Sequence, residues 1–144
     1  YREARRVLKP GGTFLFNAWD RIEENVFADD VTNALAEFFP DDPPRFMART
    51  PHGYHDTALI RSDLAKAGFS DVTIETKAAE SRAPSPRQVA VAYCQGTPLR
   101  NEIESRDADK LEAATEHAAS AIARKHGSGE VAAKIQAQVI MART

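Results

Sequence analysis

The strongest constraint on this sequence is a junction near its start. Arg5-Arg6-Val7-Leu8 reads as the tail of an amphipathic helix, Lys9-Pro10-Gly11-Gly12 stops it, and Thr13-Phe14-Leu15-Phe16-Asn17-Ala18-Trp19 follows at once. Pro10 has no backbone N–H to donate, and the two glycines reach positive φ at little steric cost. The run after them has no polar alternation before Asn17. The expectation is therefore a strand buried on both faces, as in the middle of a mostly parallel sheet. A helix that turns directly into such a strand points to an α/β chain.

The 144 residues are 42% hydrophobic and 28% charged, which is enough for one core. The formal net charge is −2, with both signs mixed along the chain. No basic stripe marks a nucleic-acid surface, and no nucleic-acid partner is expected. Cys94 is the one cysteine, so no intrachain disulfide can form; beside Val91, Ala92 and Tyr93 it reads as a buried, inert thiol. No apolar run reaches the roughly 18–20 residues that span a bilayer, so no membrane partner is expected and a cytoplasmic location is the default.

Further along, Phe27, Val31, Ala34, Leu35 and Phe38 recur at helical spacing, and Pro40 stops that helix. Asp41-Asp42-Pro43-Pro44 is a stiff turn, and residues 45–56 read as an irregular loop. A helix capped by Asp56 or Thr57 runs to Ala67, with Gly68 as its left-handed terminator and Phe69 packing back on Leu64. Val72 to Ala78 alternates as a half-solvated edge strand. Ser85-Pro86-Arg87-Gln88 is a capping box with proline at the first helical position. Thr97-Pro98 repeats the device, and a third helix follows through Leu111, Ala118 and Ile122. His117 and His126 on that helix are expected in solvent. Residues 131–141 fit a strand by alternation, while Val131, Ile135 and Val139 also fit a helix.

Leu64-Ala65-Lys66-Ala67-Gly68-Phe69-Ser70-Asp71-Val72 makes a second pattern, which follows the Val7–Trp19 junction with an insertion between. Together they resemble the later part of Rossmann-like S-adenosylmethionine-dependent methyltransferases of the small-molecule type, such as those of quinone biosynthesis. There, "VLKPGG" opens the fifth strand and "L..AGF..V" leads into the sixth. The resemblance implies three strands with the last one antiparallel and placed between the other two, so strand is the choice for residues 131–141. It divides the chain into a helix end and central strand (1–20), a helical lid insertion (21–56), and helices with closing strands (57–144).

The resemblance also implies S-adenosyl-L-methionine as cofactor and a small-molecule substrate as partner. The family's acidic, glycine-rich loop after its first strand has no counterpart here, since Gly11-Gly12 lies between helix and strand in the opposite order. The chain also begins inside a helix at Tyr1 without an initiator Met. The expectation is the C-terminal part of one methyltransferase domain, with the cofactor-binding part absent and the isolated chain inactive. The alternative is a non-catalytic ligand-binding or dimerisation module. A strand stripped of its neighbours is a template for pairing, so a homodimer or higher oligomer through the exposed edge is expected.

Ligands of open α/β sheets lie beyond the carboxyl ends of the strands, which places Asn17 and Trp19 at the mouth of a pocket as substrate contacts. Phe46, Met47 and Tyr54, on a proline-flanked aromatic segment, are the other substrate-binding candidates. His52 or His55 can serve as general base with Asp56 orienting it; equally, Asp56 caps the next helix and the histidines lie at the surface. Two histidines and a carboxylate on a loop are too few for a metal centre, and none is expected.

Overall fold

A computed structural model describes residues 1–144. Three strands, β1 (Thr13–Trp19), β2 (Asp71–Ala83) and β3 (Val131–Arg143), form one sheet in the order β1-β3-β2. β3 runs antiparallel to both neighbours, so β1 and β2 are parallel to each other. The fold is mixed α/β, and the ambiguous last segment is a strand lying between the first two.

The opening junction forms as its residues dictate. Helix α1 (Arg2–Val7) ends at Leu8, and Gly12 N–H donates to the Lys9 carbonyl at 2.8 Å. Gly11 has φ +73°, and a Cβ on Gly12 would sit 2.8 Å from the Lys9 carbonyl oxygen. Helix α4 (Thr57–Lys66) is capped by Asp56, whose Oδ1 accepts from the N–H groups of Ala58 (2.8 Å) and Leu59 (3.3 Å). Gly68 ends the turn at φ +93°, and Phe69 N–H returns to the Leu64 carbonyl.

α1 and α4 cover one face of the sheet. Ile60, Leu64, Phe69, Ile140 and Ala142 are buried there, against Phe14, Phe16, Ala18, Val72 and Ile74. Over β1 the opposite face has no helix on it, whereas beyond β1 it meets the helical core through Val131 and Ala133. Leu15 is 65% exposed and Trp19 40% exposed, so the expectation that β1 is buried on both faces is corrected. The cause is positional: the odd-numbered residues of β1 point to the side on which no helix packs over this strand.

A second and larger core lies beyond the carboxyl end of β1. It gathers α2 (Val26–Phe38), the single turn α3 (Phe46–Arg49), α5 (Pro86–Cys94), α6 (Leu99–Arg106) and α7 (Leu111–His126). Phe27, Leu35, Leu99, Ile103 and Ile122 are almost wholly buried in it, each contributing roughly 1.5–3 kcal/mol of transfer free energy. Segment 21–56 joins this core through α2 and α3, with α2 packed mainly on α7. Residues 45–56, expected as irregular, include the α3 turn.

The late helix also differs from expectation. His126 Nε2 donates to Asp30 at 2.7 Å, Lys125 pairs with the same buried carboxylate, and His117 packs beside the Phe38 ring. These histidines are drawn inward because α2 presents a carboxylate and an aromatic ring to α7. No helix is long and apolar enough to cross a membrane.

Candidate functional site

β1 ends at Trp19, and the chain turns through Asp20 and Arg21 into one 3-10 turn, Ile22–Glu24. Asn25, 2% exposed, holds this corner. Its Nδ2 lies 3.2–3.3 Å from the carbonyls of Asp20, Arg21 and Gln136, and its Oδ1 accepts from Gln136 N–H at 3.1 Å. The Asp20 carboxylate accepts from the side-chain amides of Gln136 and Gln138, both at 2.7 Å. Gln138 in turn accepts from the Thr76 hydroxyl at 2.8 Å.

His52 is brought to this corner by the segment after α3. Its backbone N–H donates to the Met47 carbonyl, and its Nδ1 lies 2.9 Å from the Asp20 carbonyl oxygen. A carbonyl only accepts, so Nδ1 carries the proton and Nε2 keeps a lone pair. Burial holds the His52 pKa below its usual value, outweighing the Asp20 hydrogen bond that pulls the other way. The imidazole is therefore neutral, with a free acceptor nitrogen.

Trp19, Asn25, Met47, His52, Tyr93 and Ile135 enclose a cavity of about 90 Å³ here. The Trp19 and His52 ring centroids are 6.0 Å apart. α6 straps the segment that carries Met47 and His52. Glu102 accepts from the N–H groups of Arg45 (2.9 Å) and Phe46 (3.1 Å) and pairs with Arg49 at 2.5 Å. Burial alone would raise the Glu102 pKa, but Arg49 and these N–H groups hold it below the usual carboxylate value. Arg106 grips the same segment nearer its start, through the carbonyl and carboxylate of Asp42.

Of the residues singled out from sequence, Trp19, Met47 and His52 meet at this cavity. The others lie elsewhere. Asn17 is on the uncovered face of β1, and Phe46 packs against the helical core. The Tyr54 hydroxyl donates to Asp63 at 3.0 Å, with its ring against the sheet core. His55 lines a separate polar groove of about 530 Å³ with Asp20, Arg21, Gln136 and Gln138. Strand alternation puts Gln138 opposite Ala18, on the other face of the sheet from Trp19. Asp56 caps α4 and orients neither histidine. No three His, Cys, Asp or Glu side chains gather in a metal-binding arrangement.

Asn25, Tyr93 and Glu102 escaped the sequence reading. Asn25 stands just before a helix and resembles an N-cap, yet its side chain makes no cap bond. Tyr93 looks like one more core residue beside Cys94, and Glu102 like a solvated charge.

No protein-family model matches the chain, and no curated protein matches it. Among solved structures, a protein of Bacillus halodurans C-125 named as a candidate methyltransferase aligns with a TM-score of 0.45 and 15% identity. The alignment covers 99% of this chain and 60% of that one, so the chain spans about three fifths of the matched protein's length. At that score the likeness decides neither activity nor substrate.

Proposed function

We propose that this chain is the C-terminal part of an S-adenosylmethionine-dependent methyltransferase acting on a small molecule, and that it supplies the acceptor side of the active site. The supporting observation is the sheet order. The strand after Pro10-Gly11-Gly12 and the strand after Ala67-Gly68-Phe69 are parallel, with the last strand antiparallel between them. That is the arrangement the sequence resemblance requires. The residues present do not form a cofactor cradle: the Gly11-Gly12 turn leads from helix to strand, the reverse of a nucleotide-binding loop. No step is assigned to the cofactor in this chain.

What the chain offers is a proton acceptor. His52 Nε2, neutral and fixed in its tautomer by the Asp20 carbonyl, takes the proton from an acceptor hydroxyl or N–H held in the cavity beside Trp19. Calorimetric titration with S-adenosylmethionine tests the reading. The 144-residue chain alone is expected to bind none, and a longer form carrying an upstream strand and acidic glycine-rich loop is expected to bind one equivalent. Tight stoichiometric binding by the short chain, or an upstream sequence lacking that unit, refutes it.

A second reading, a dimerisation module, is favoured by the outer edge of β1. Seven residues without charge, proline or bulge leave that edge open for pairing. β2, at the opposite edge, carries Glu75, Lys77, Glu80 and Arg82, which guard it. Light scattering decides: a dimer that Leu15→Lys dissolves supports this reading, and a monomer at high concentration removes it.

A further inference from the structure

The cavity at the end of β1 offers both an acceptor and a donor among its lining residues. His52 Nε2 presents an acceptor, because Nδ1 is committed to Asp20. Tyr93, on α5, presents a hydroxyl that forms no hydrogen bond within the chain, although its ring is half-buried against the helical core. The remaining polar wall, Asn25, is saturated by backbone groups. Trp19, Met47 and Ile135 complete the lining, and no charged side chain enters it.

Each of these facts limits the occupant. A volume of about 90 Å³ is far below the roughly 300–1,000 Å³ of a drug-sized site. Only the head of a ligand fits. The aromatic side chains of Trp19 and Tyr93 in the lining favour a planar group, and an uncharged lining disfavours an ion, which would lose hydration without gaining a partner. One unpaired donor and one unpaired acceptor among the lining residues match a group that both accepts and donates. A hydroxyl on an sp² carbon does both. Trp19 is 40% exposed, so the rest of such a molecule has a way out past the indole.

We propose that this cavity binds the hydroxyl end of a neutral phenol or enol, with Tyr93 donating to the ligand oxygen and His52 Nε2 accepting its proton. The proposal rests on the acceptor role given above to this end of β1, and it makes Tyr93 the residue that selects a hydroxylated head over a plain hydrocarbon.

Trp19 is the chain's single tryptophan, so its indole N–H gives one resolvable signal in a ¹H–¹⁵N spectrum. Titrating the 144-residue chain with phenol should shift that signal saturably. Toluene, of like size but without the hydroxyl, should bind about tenfold more weakly or not at all, and benzoate should leave the signal in place. Tyr93→Phe, with spectral dispersion unchanged, should weaken phenol about tenfold, the equivalent of one hydrogen bond, and leave toluene unaffected. Equal affinity for phenol and toluene, or a Tyr93→Phe protein that binds phenol as the parent does, overturns the proposal. Should the variant fail to fold, the comparison of three ligands on the parent chain still decides. No cofactor enters the experiment. Phenol selectivity without S-adenosylmethionine binding by the longer form removes the methyltransferase reading alone, and cofactor binding without phenol selectivity removes this one alone.

Discussion

Asn25→Ala should be among the most damaging single changes in the chain, although it deletes only a small polar group. The Asn25 amide has two N–H donors and three carbonyls within 3.2–3.3 Å, so at most two are fully served at once. Of the groups it touches, the Asp20 carbonyl keeps His52 and the Gln136 carbonyl keeps the Asp20 N–H at 3.1 Å. The Gln136 N–H has Asn25 Oδ1 as its partner and is orphaned by the substitution. An orphaned buried donor costs about 1–3 kcal/mol, and the lost bond to Arg21 adds about 1 kcal/mol. The sum, about 2–4 kcal/mol, corresponds to a melting-temperature drop of roughly 7–13 °C for a chain of this length. Urea unfolding followed by far-ultraviolet dichroism and by Trp19 fluorescence measures it. Asn25→Asp sharpens the test. It keeps the acceptor for Gln136 N–H but turns a carboxylate toward three carbonyls, which raises its folded-state pKa. A raised pKa stabilises below the unfolded value and is lost as pH rises through the folded one, so this variant should approach the parent in acid and fall away at neutral pH. A loss under about 0.5 kcal/mol for Asn25→Ala, within the range of ordinary surface substitutions, would refute the reasoning.

Glu102 is held below the usual carboxylate pKa by Arg49 and two backbone N–H groups, against the opposing effect of burial. Its contribution is therefore present above the unfolded value near ~4.3 and lost as pH falls through the lower folded value; Glu102→Gln should flatten the melting temperature over that acid range, as calorimetry at several pH values would read. Gly68→Ala should cost about 1–2 kcal/mol from its φ of +93° and push aside Arg5, whose Nε would lie 2.6 Å from the new Cβ; chemical denaturation gives the value. Cys94 is wholly buried and its thiol is pushed up to about 12 by that burial, so a disulfide reagent at pH 8 should label it only at the rate of unfolding. Rapid labelling of the folded protein would mean that the helical core opens locally.

How much of this was legible in the sequence depends on how far each interaction reaches. The Leu64–Phe69 terminator and the Ser85 cap could be read directly, because their partners lie within a few residues. β3 could not be settled by pattern, since alternation and helical spacing both fit; its place between β1 and β2 followed from the resemblance. The burial of β1 was misread because Leu15 and Trp19 report what covers a strand, and an apolar run looks the same with or without a covering layer. Trp19, Met47 and His52 stood among the candidates because they flank a strand end and a proline-bounded loop. Tyr93 did not, since nothing local distinguishes a cavity-lining tyrosine from one filling a helical core. His126 turned inward for the same reason: Asp30 sits far away in sequence.

The position of the site follows from unequal strand lengths. β1 has seven residues, while β2 and β3 have thirteen each. The β2–β3 pairing therefore continues for six more residue pairs after β1 has stopped, from Ala78–Gln136 to Ala83–Val131, about 20 Å at ~3.3 Å per residue. This overhang enters the helical core, where Val131 and Ala133 are buried. Beyond Trp19, the β3 edge needs new hydrogen-bond partners, because an unpaired buried backbone group is costly. The Asp20 N–H takes the Gln136 carbonyl, and the Asn25 amide then gives and receives at the same residue as a strand backbone would. The ladder is thus closed by a side chain instead of by another strand residue. Ile135, one position further along, lies where no backbone partner of β1 remains, and Trp19, Met47, His52 and Tyr93 close around the gap as side chains. A side-chain wall leaves lone pairs and hydroxyls that a continued strand would have consumed, which is why the unpaired acceptor of His52 and the unpaired donor of Tyr93 occur at this step in the sheet.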